Sequence, residues 1–156
     1  MRSFTSLAHM AQHLATQPAH LLINLEHGLE KAAAKVEKRA KAKIGTYQDT
    51  DGAHGAWPEL ADSTKSDRVR KGFTENDPGL RNGAMRKSIK HKTKHLEASI
   101  GSNSDNLVWF ELGTKKQPPR SVLGAALFEA MPEVLKIVGG ATVSGIANGN
   151  SNTESY

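Results

Sequence analysis

The sequence predicts an α+β fold in which a long N-terminal helix and a C-terminal helix pack on a small antiparallel β-sheet, with flexible termini. Apolar residues recur at three- and four-residue spacing before residue 45 and after residue 121, which is typical of helices. Between residues 89 and 100 they recur at two-residue spacing, which is typical of strands. The 156 residues suit one ordinary domain. We therefore expect a single α+β domain over 1–138 and a flexible C-terminal arm over 139–156.

The first third of the chain is predicted to be helical. A short amphipathic helix is expected at about 5–16, and Pro18 should break it and open the next helix. That second helix is predicted over 19–45, where one apolar stripe continues for about six turns. Gly45 then provides a left-handed stop. The stripe consists of Leu22, Leu25, Leu29, Ala32, Val36, Ala40 and Ile44.

The middle of the chain alternates loops with short elements. Residues 45–56 are rich in Gly, Asp and Thr and predict a mobile loop. A short helix is expected to begin with Pro58 in its first turn and to reach about Lys71. The run 76–79 (Asn-Asp-Pro-Gly) predicts a turn, and 80–87 a further helical turn.

A hairpin and a last helix follow. Ile89, His91 and Thr93 alternate with three lysines, so two strands joined near His95 are predicted, with one apolar and one polar face. Residues 107–110 fit either a strand or a helical turn. The last helix is expected after residues 118–119 (Pro-Pro), with Ser121 as its cap, a kink or restart at Pro132, and an end at 139–140 (Gly-Gly).

Composition excludes several classes of protein. The chain has no cysteine, which excludes disulfide scaffolds, thiolate zinc sites, iron–sulfur clusters and cysteine nucleophiles. No apolar run approaches the roughly 20 residues that span a bilayer, and no signal sequence is evident, so we expect a cytoplasm-like compartment and no membrane partner.

Catalytic and cofactor motifs are weak. His9 and His13 stand four residues apart on a predicted helix, but no third metal ligand is placed by the sequence. Gly140 and Gly145 have the spacing that opens a phosphate loop, yet Ile146 and Ala147 replace the required Lys and Ser/Thr. No Gly-x-Ser-x-Gly elbow occurs. The expectation is a protein that is not an enzyme and uses no cofactor or metal.

Basic residues cluster in one segment, with no acid between Asp77 and Glu97. A strip of this kind fits either contact with phosphates or a solvated face. The aromatic content of 5% is too low to suggest a base-stacking surface, so any contact with DNA would be non-specific. A small non-specific DNA-binding protein using the basic strip 81–95 is therefore the alternative function. The basic strip comprises Arg81, Arg86, Lys87, Lys90, Lys92 and Lys94.

About half of the chain resembles one family. In order and spacing, its segments are similar to the virion morphogenesis or tail-completion proteins of tailed bacteriophages, also described as minor tail, neck or head–tail joining proteins. The helix predicted at 19–45 stands where that family has its first helix. The matching segments are Trp57–Thr64 (WPELADST), Leu80–Ile89 (LRNGAMRKSI), Ala98–Ser102 (ASIGS), Val108–Thr114 (VWFELGT) and Pro119–Ala126 (PRSVLGAA).

The resemblance implies a structural protein of the virion at the neck or upper tail, made in the host cytoplasm. It implies a homo-oligomeric ring around the DNA channel, joined to other neck, connector or tail proteins and in non-specific contact with packaged double-stranded DNA. Within the basic strip, the residues expected to contact DNA or the next ring are Arg86, Lys87, Lys90, Lys92 and Lys94.

The motif residues receive local roles. Glu111 is expected to accept hydrogen bonds from Arg120 or from loop amides and so to fix the loop at 115–117, or to be only a turn carboxylate. Gly83 is expected at a tight transition from helix to strand, and Gly113 at a sharp turn after the aromatic segment. Structural or core positions are expected for Trp57, Trp109 and Phe110. The turn and loop set is Glu111, Gly113, Thr114, Lys115, Lys116 and Arg120.

Overall fold

The computed structural model describes residues 6–148 as five helices and one two-stranded antiparallel sheet, which confirms the predicted α+β fold. The hairpin lies where it is predicted, and the two long helices include most of their predicted segments but extend beyond them. The elements are α1 (Leu7–Lys43), α2 (Asp62–Arg70), α3 (Ala84–Ser88), β1 (Lys90–Lys94), β2 (Glu97–Gly101), α4 (Asp105–Leu112) and α5 (Leu123–Asn148).

The chain divides into two compact units. Of the described residues, the first unit comprises 6–32, the hairpin tip Thr93–Ala98 and 132–148. The second comprises Ala33–Lys92 and Ser99–Met131. Helices α1 and α5 and the hairpin each run from one unit into the other.

In the first unit, α1 and α5 approach each other closely at two glycines. A Cβ atom on Gly28 would stand 2.6 Å from the Cβ atom of Ala141, and one on Gly145 would stand 2.8 Å from the Cα atom of Leu21. Real Cβ atoms do not come so near, so the two helices can touch along this line only because each contributes a glycine to it.

Proline and glycine do not interrupt the long helices as the sequence predicts. Pro18 lies inside α1 and Pro132 inside α5, so the expected break at Pro18 is wrong and α5 is not restarted. A proline leaves one carbonyl group of the preceding turn without an amide partner, and Pro18 itself is exposed. The expected end at 139–140 is also wrong, because α5 continues to Asn148 while Ala141 and Gly145 pack on α1. Of the predicted flexible arm, residues 149–156 lie outside the described residues.

The second unit holds most of the buried apolar residues. Ile89 and Val122 are entirely buried, and Trp57, Leu107 and Phe110 lie almost entirely out of water. Small residues from α1 and α5 complete this core, which allows the helical backbones to come close. These are Ala33, Ala40, Ala125, Ala126 and Ala130.

The short elements of the second unit follow the sequence in most places. The turn predicted over 76–79 lies one residue later, at 77–80, where the Leu80 amide donates to the Asp77 carbonyl at 3.1 Å and Gly79 has a φ of +73°. Segment 107–110 is helical, as part of α4. Helix α2 begins at Asp62 rather than near Pro58, because the carbonyl groups of Pro58 and Glu59 bind Arg120 instead of helical amides.

The loop at 46–56, predicted to be mobile, is fastened by its own hydrogen bonds. The Trp57 amide donates to the Gln48 carbonyl at 2.8 Å, and the Thr50 hydroxyl donates to the His54 carbonyl at 2.9 Å. The Asp51 carboxylate accepts from the amides of Ala53 and His54 at 2.9 and 2.6 Å. These hydrogen bonds give the loop a defined backbone.

The close helix contact in the first unit predicts opposite effects for two glycine substitutions. Gly28→Ala should lower the free energy of unfolding by about 1–3 kcal/mol, because the new methyl group overlaps Ala141. Gly139→Ala should raise it by roughly 0.5–1 kcal/mol, since no atom outside its own helical turns lies within 4 Å and alanine favours helix. Urea denaturation of both variants measures the difference. A stabilised Gly28→Ala protein would contradict the contact.

Candidate functional site

Segments that carry the family resemblance meet in the second unit. The rings of Trp57 and Phe110 pack edge to face, with centroids 5.2 Å apart and planes at 81°. The Trp57 indole donates to the Ser121 carbonyl at 3.2 Å, which joins the loop before α2 to the start of α5. We call Trp57, Phe110, Glu111 and Arg120 the motif cluster. The buried positions of Trp57 and Phe110 agree with their predicted structural role.

Glu111 caps the N-terminus of α5. Its carboxylate accepts from the amides of Val122, Leu123 and Gly124 at 2.6, 2.9 and 3.1 Å. The Ser121 hydroxyl also donates to it at 2.8 Å. A carboxylate in this position satisfies amides that have no helical partner and complements the positive end of the helix dipole.

The predicted partners of Glu111 were therefore wrong. It binds neither Arg120 nor the amides at 115–117, but amides ten or more residues along the chain. Ser121, the predicted cap, shares the role, because its hydroxyl accepts from the Ala125 amide at 3.3 Å.

Arg120 is a buried cation that binds the main chain. Its side chain is 3% exposed, and its Nε and Nη2 atoms donate to the Pro58 carbonyl at 3.1 and 2.6 Å. Nη2 also donates to the Glu59 carbonyl at 3.0 Å, and the guanidinium lies 5.6 Å from the centre of the Phe110 ring. Burial lowers the pKa of Arg120 below its ordinary value, but a guanidinium remains charged at neutral pH.

Arg68 repeats this arrangement on α2, and sequence reasoning missed it. It is 5% exposed, with Nε donating to the Thr74 carbonyl at 2.7 Å and Nη2 to the Leu80 carbonyl at 2.8 Å. Helix α2 is polar along most of its length, so no apolar period distinguished this arginine from its exposed neighbours. The available signal was its position among the basic residues that follow the WPELADST segment, from Lys65 to Lys71.

A cleft of about 670 Å³ opens beside the motif cluster, entirely within the second unit. Arg68, Arg81, Lys116 and Arg120 all line it, together with the Trp109 indole. Trp109 is 53% exposed, so the predicted core position of this residue is wrong. On α4, Phe110 turns inward and its neighbour Trp109 turns outward, a choice that the run of apolar letters could not indicate.

The loop after α4 forms the sharp turn that the sequence predicts at Gly113. Its φ is +75°, and a Cβ atom there would stand 2.8 Å from the Pro119 nitrogen. The Thr114 hydroxyl accepts from the amides of Lys116 and Gln117 at 3.2 and 3.1 Å, while the lysine side chains of this loop remain exposed. Gly83 has a φ of +77° but stands before α3, so the predicted transition from helix to strand at this residue is wrong.

The second candidate surface is the polar side of the hairpin. Along β1, exposed lysines alternate with half-buried His91 and Thr93, so the predicted alternation is confirmed. The lysine side chains therefore share one face of the strand. We call this the lysine face. It comprises Lys90, Lys92 and Lys94, and the exposed residues Arg86 and Lys87 belong to α3 nearby in the sequence.

On its other side, β1 is attached to α1 through a carboxylate. Glu37 accepts from the His91 amide at 2.8 Å and from the His91 ring, and it also pairs with Lys41. The hydrogen bonds from Lys41 and His91 outweigh partial burial and lower the pKa of Glu37 from 4.5 to about 2.

Within residues 6–148, no three His, Asp or Glu side chains stand together as a metal site would require, and the side chains of His9 and His13 lie outside this description. None of the described helices is both long and apolar enough to cross a bilayer. The chain matches no family model, no curated protein and no solved structure.

The cap on α5 predicts a large effect of removing one carboxylate. Glu111→Ala should lower the free energy of unfolding by about 2–4 kcal/mol, because it leaves several part-buried donors without their charged acceptor. Glu111→Gln should have a smaller effect, since one oxygen acceptor remains. Denaturant unfolding measures both. Glu75→Ala, which removes an exposed carboxylate, is the control and should change the free energy of unfolding little. A loss as small as this in Glu111→Ala would contradict the capping role.

The Glu37 contacts predict acid sensitivity. A folded pKa of about 2 lies below the ordinary value of 4.5, so this stabilisation is fully present above pH 4.5 and disappears as the pH falls towards 2. Glu37→Gln should be less stable than the parent at neutral pH and lose less stability across that interval. Thermal melts against pH test this, with Glu97→Gln on the exposed face of β2 as control. Asp67, whose pKa is also lowered to about 2, should retain its own acid dependence in both variants.

Proposed function

We propose that the protein is a non-enzymatic structural subunit of a tailed-phage virion, located at the neck or upper tail and assembled as a ring around the DNA channel. The observation that carries this proposal is the motif cluster. The polar atoms of Trp57, Glu111 and Arg120 form hydrogen bonds with backbone groups of other segments, and these bonds join separate parts of the chain. This use of the resembling residues suits a structural framework.

Exposed apolar side chains of the second unit support self-assembly. Val108 and Leu112 stand one turn apart on α4, and both are exposed. Leu127, Phe128 and Met131 are exposed on α5. Apolar side chains grouped on helix faces gain stability when another subunit covers them, which is the contact that a ring repeats around its axis.

The lysine face supports a position near DNA. A channel requires weak contact with the phosphate backbone and no reading of bases, and exposed lysines on one side of a strand provide this. The same lysines could instead meet acidic residues of the next ring. In both cases the protein forms a ring, and the two cases differ in whether the lysines contact DNA or a neighbouring ring.

Electron microscopy of lysates from a phage lacking this gene tests the proposal. We expect unjoined heads and tails or incomplete tails, because a missing ring interrupts the neck or upper tail. Complementation with the parent chain should restore joined particles. Normal virions with filled heads properly joined to tails would overturn the proposal.

The alternative is a small non-specific DNA-binding protein. It is favoured by a groove of about 530 Å³ along the hairpin, lined by Lys90 and Lys92 together with Ser99 and Ser102. Lysine and hydroxyl groups of this kind are common phosphate contacts. Under this reading the purified chain alone should bind duplex DNA of any sequence, with affinity falling steeply as salt rises.

Replacing Lys90, Lys92 and Lys94 together with glutamine separates these roles. If the lysine face lines the channel, particles should assemble while DNA retention or delivery suffers. If it meets another ring, assembly itself should fail. The measurements are particle counts by microscopy, packaged DNA and infectivity, with Lys31→Gln on an exposed position of α1 as control. Full assembly and full infectivity in the triple variant would leave the lysines as a solvated face.

A further inference from the structure

Two buried arginines leave one nitrogen each unused beside the same cleft. Arg68 and Arg120 donate through Nε and Nη2, and Nη1 of each makes no hydrogen bond within residues 6–148. No buried side-chain nitrogen or oxygen in the described part of the chain lacks a partner. Neither Nη1 group is therefore completely enclosed, and both arginines line the cleft. Each Nη1 carries two N–H donors that no group of the described residues accepts.

These donors are fixed in position before any ligand arrives. Main-chain carbonyl groups hold the other two nitrogens of each guanidinium, and the side chains are only 5% and 3% exposed. Little side-chain entropy remains to be lost on binding. The hydrogen bonds of Arg68 and Arg120 go to carbonyl and hydroxyl oxygens, so both positive charges still favour an anion.

The remaining charges leave the cleft cationic. Lys116 lies on its wall, and its amino group has no partner among residues 6–148. Arg81 is held by Asp67 at 2.8 Å. The one carboxylate that lines the cleft belongs to Glu59, and it pairs with Lys65 at 3.0 Å. A negatively charged ligand is therefore complementary to this surface.

The cleft also has an apolar wall. The half-exposed indole of Trp109 stands there with Leu60, Met85 and Pro118. An exposed tryptophan beside fixed cations is a common anchor point of protein interfaces. The ligand should therefore combine carboxylates with at least one apolar side chain.

We propose that this cleft binds an extended acidic peptide segment of a partner protein. Its carboxylates meet Nη1 of Arg68 and Arg120 and the amino group of Lys116, and an apolar side chain covers Trp109. Carboxylates on flexible side chains can reach recessed donors, whereas a phosphodiester backbone is better matched by a row of exposed lysines such as the lysine face. The inference rests on the proposed assembly role in expecting a protein partner.

Selection from a displayed library of random twelve-residue peptides tests this on the purified full-length chain. Enriched peptides should carry at least two Asp or Glu residues near an aromatic or aliphatic residue. For a fluorescein-labelled winner, Trp109→Ala and Lys116→Glu should each raise Kd by about tenfold or more, as expected for loss of an anchor or of a charged contact. Affinity should fall as salt rises.

Lys115→Glu is the matched control, because it makes the same charge change in the same loop at a residue that does not line the cleft. Thermal melts establish that each variant is folded. Enrichment of peptides without carboxylates, or equal losses in the Lys115 and Lys116 variants, would overturn the proposal. A single-stranded oligonucleotide that binds in a Trp109-dependent way while no peptide is selected would also overturn it, in favour of a phosphate ligand. These outcomes concern the cleft alone, and the virion role is decided separately by the knockout lysate.

Discussion

The carboxylate of Glu111 is the contact on which the second unit depends. Helix α5 begins with amides that have no partner of their own, and a side chain from the end of α4 supplies the acceptor. Because the capping side chain comes from α4, it joins two helices as well as capping the N-terminus of α5. The position of Arg120, one residue before Ser121, is fixed by the same junction, and so is the turn at Gly113 that connects the two helices.

Buried arginines then extend this junction to the rest of the unit. Arg120 ties the carbonyl groups of Pro58 and Glu59 to it, and Arg68 ties α2 to the segments at Thr74 and Leu80. A long side chain with several donors can satisfy carbonyl groups that neither helix nor sheet uses. This is why a unit rich in irregular backbone can remain ordered, and why cationic groups lie at the edge of a cleft.

Much of the fold was predictable because its signals are local. The hairpin followed from strict alternation around His91, and the turn at 77–80 from Pro78 and Gly79, since these patterns limit the backbone within a few residues. Trp57 and Phe110 were correctly expected in structural positions. Trp109 was not, because on a short helix two adjacent apolar residues face different directions, and only the packing decides which one is buried.

By itself, the sequence determined the class of fold, the helical character of 19–43 and 123–138, the hairpin and the exposed lysines of β1, because each depends on the period of nearby side chains. Tertiary structure alone decided the contacts between residues that are far apart in the sequence, namely the partners of Glu111 and the carbonyl groups held by Arg68 and Arg120. It also decided that α5 continues to Asn148. Helix α5 continues through the two successive glycines at 139–140, and beyond them it packs on α1 at the contacts that involve Gly28 and Gly145. The physical reason is that propensity acts over a few residues, whereas burial and hydrogen-bond satisfaction act between groups that only the folded chain brings together.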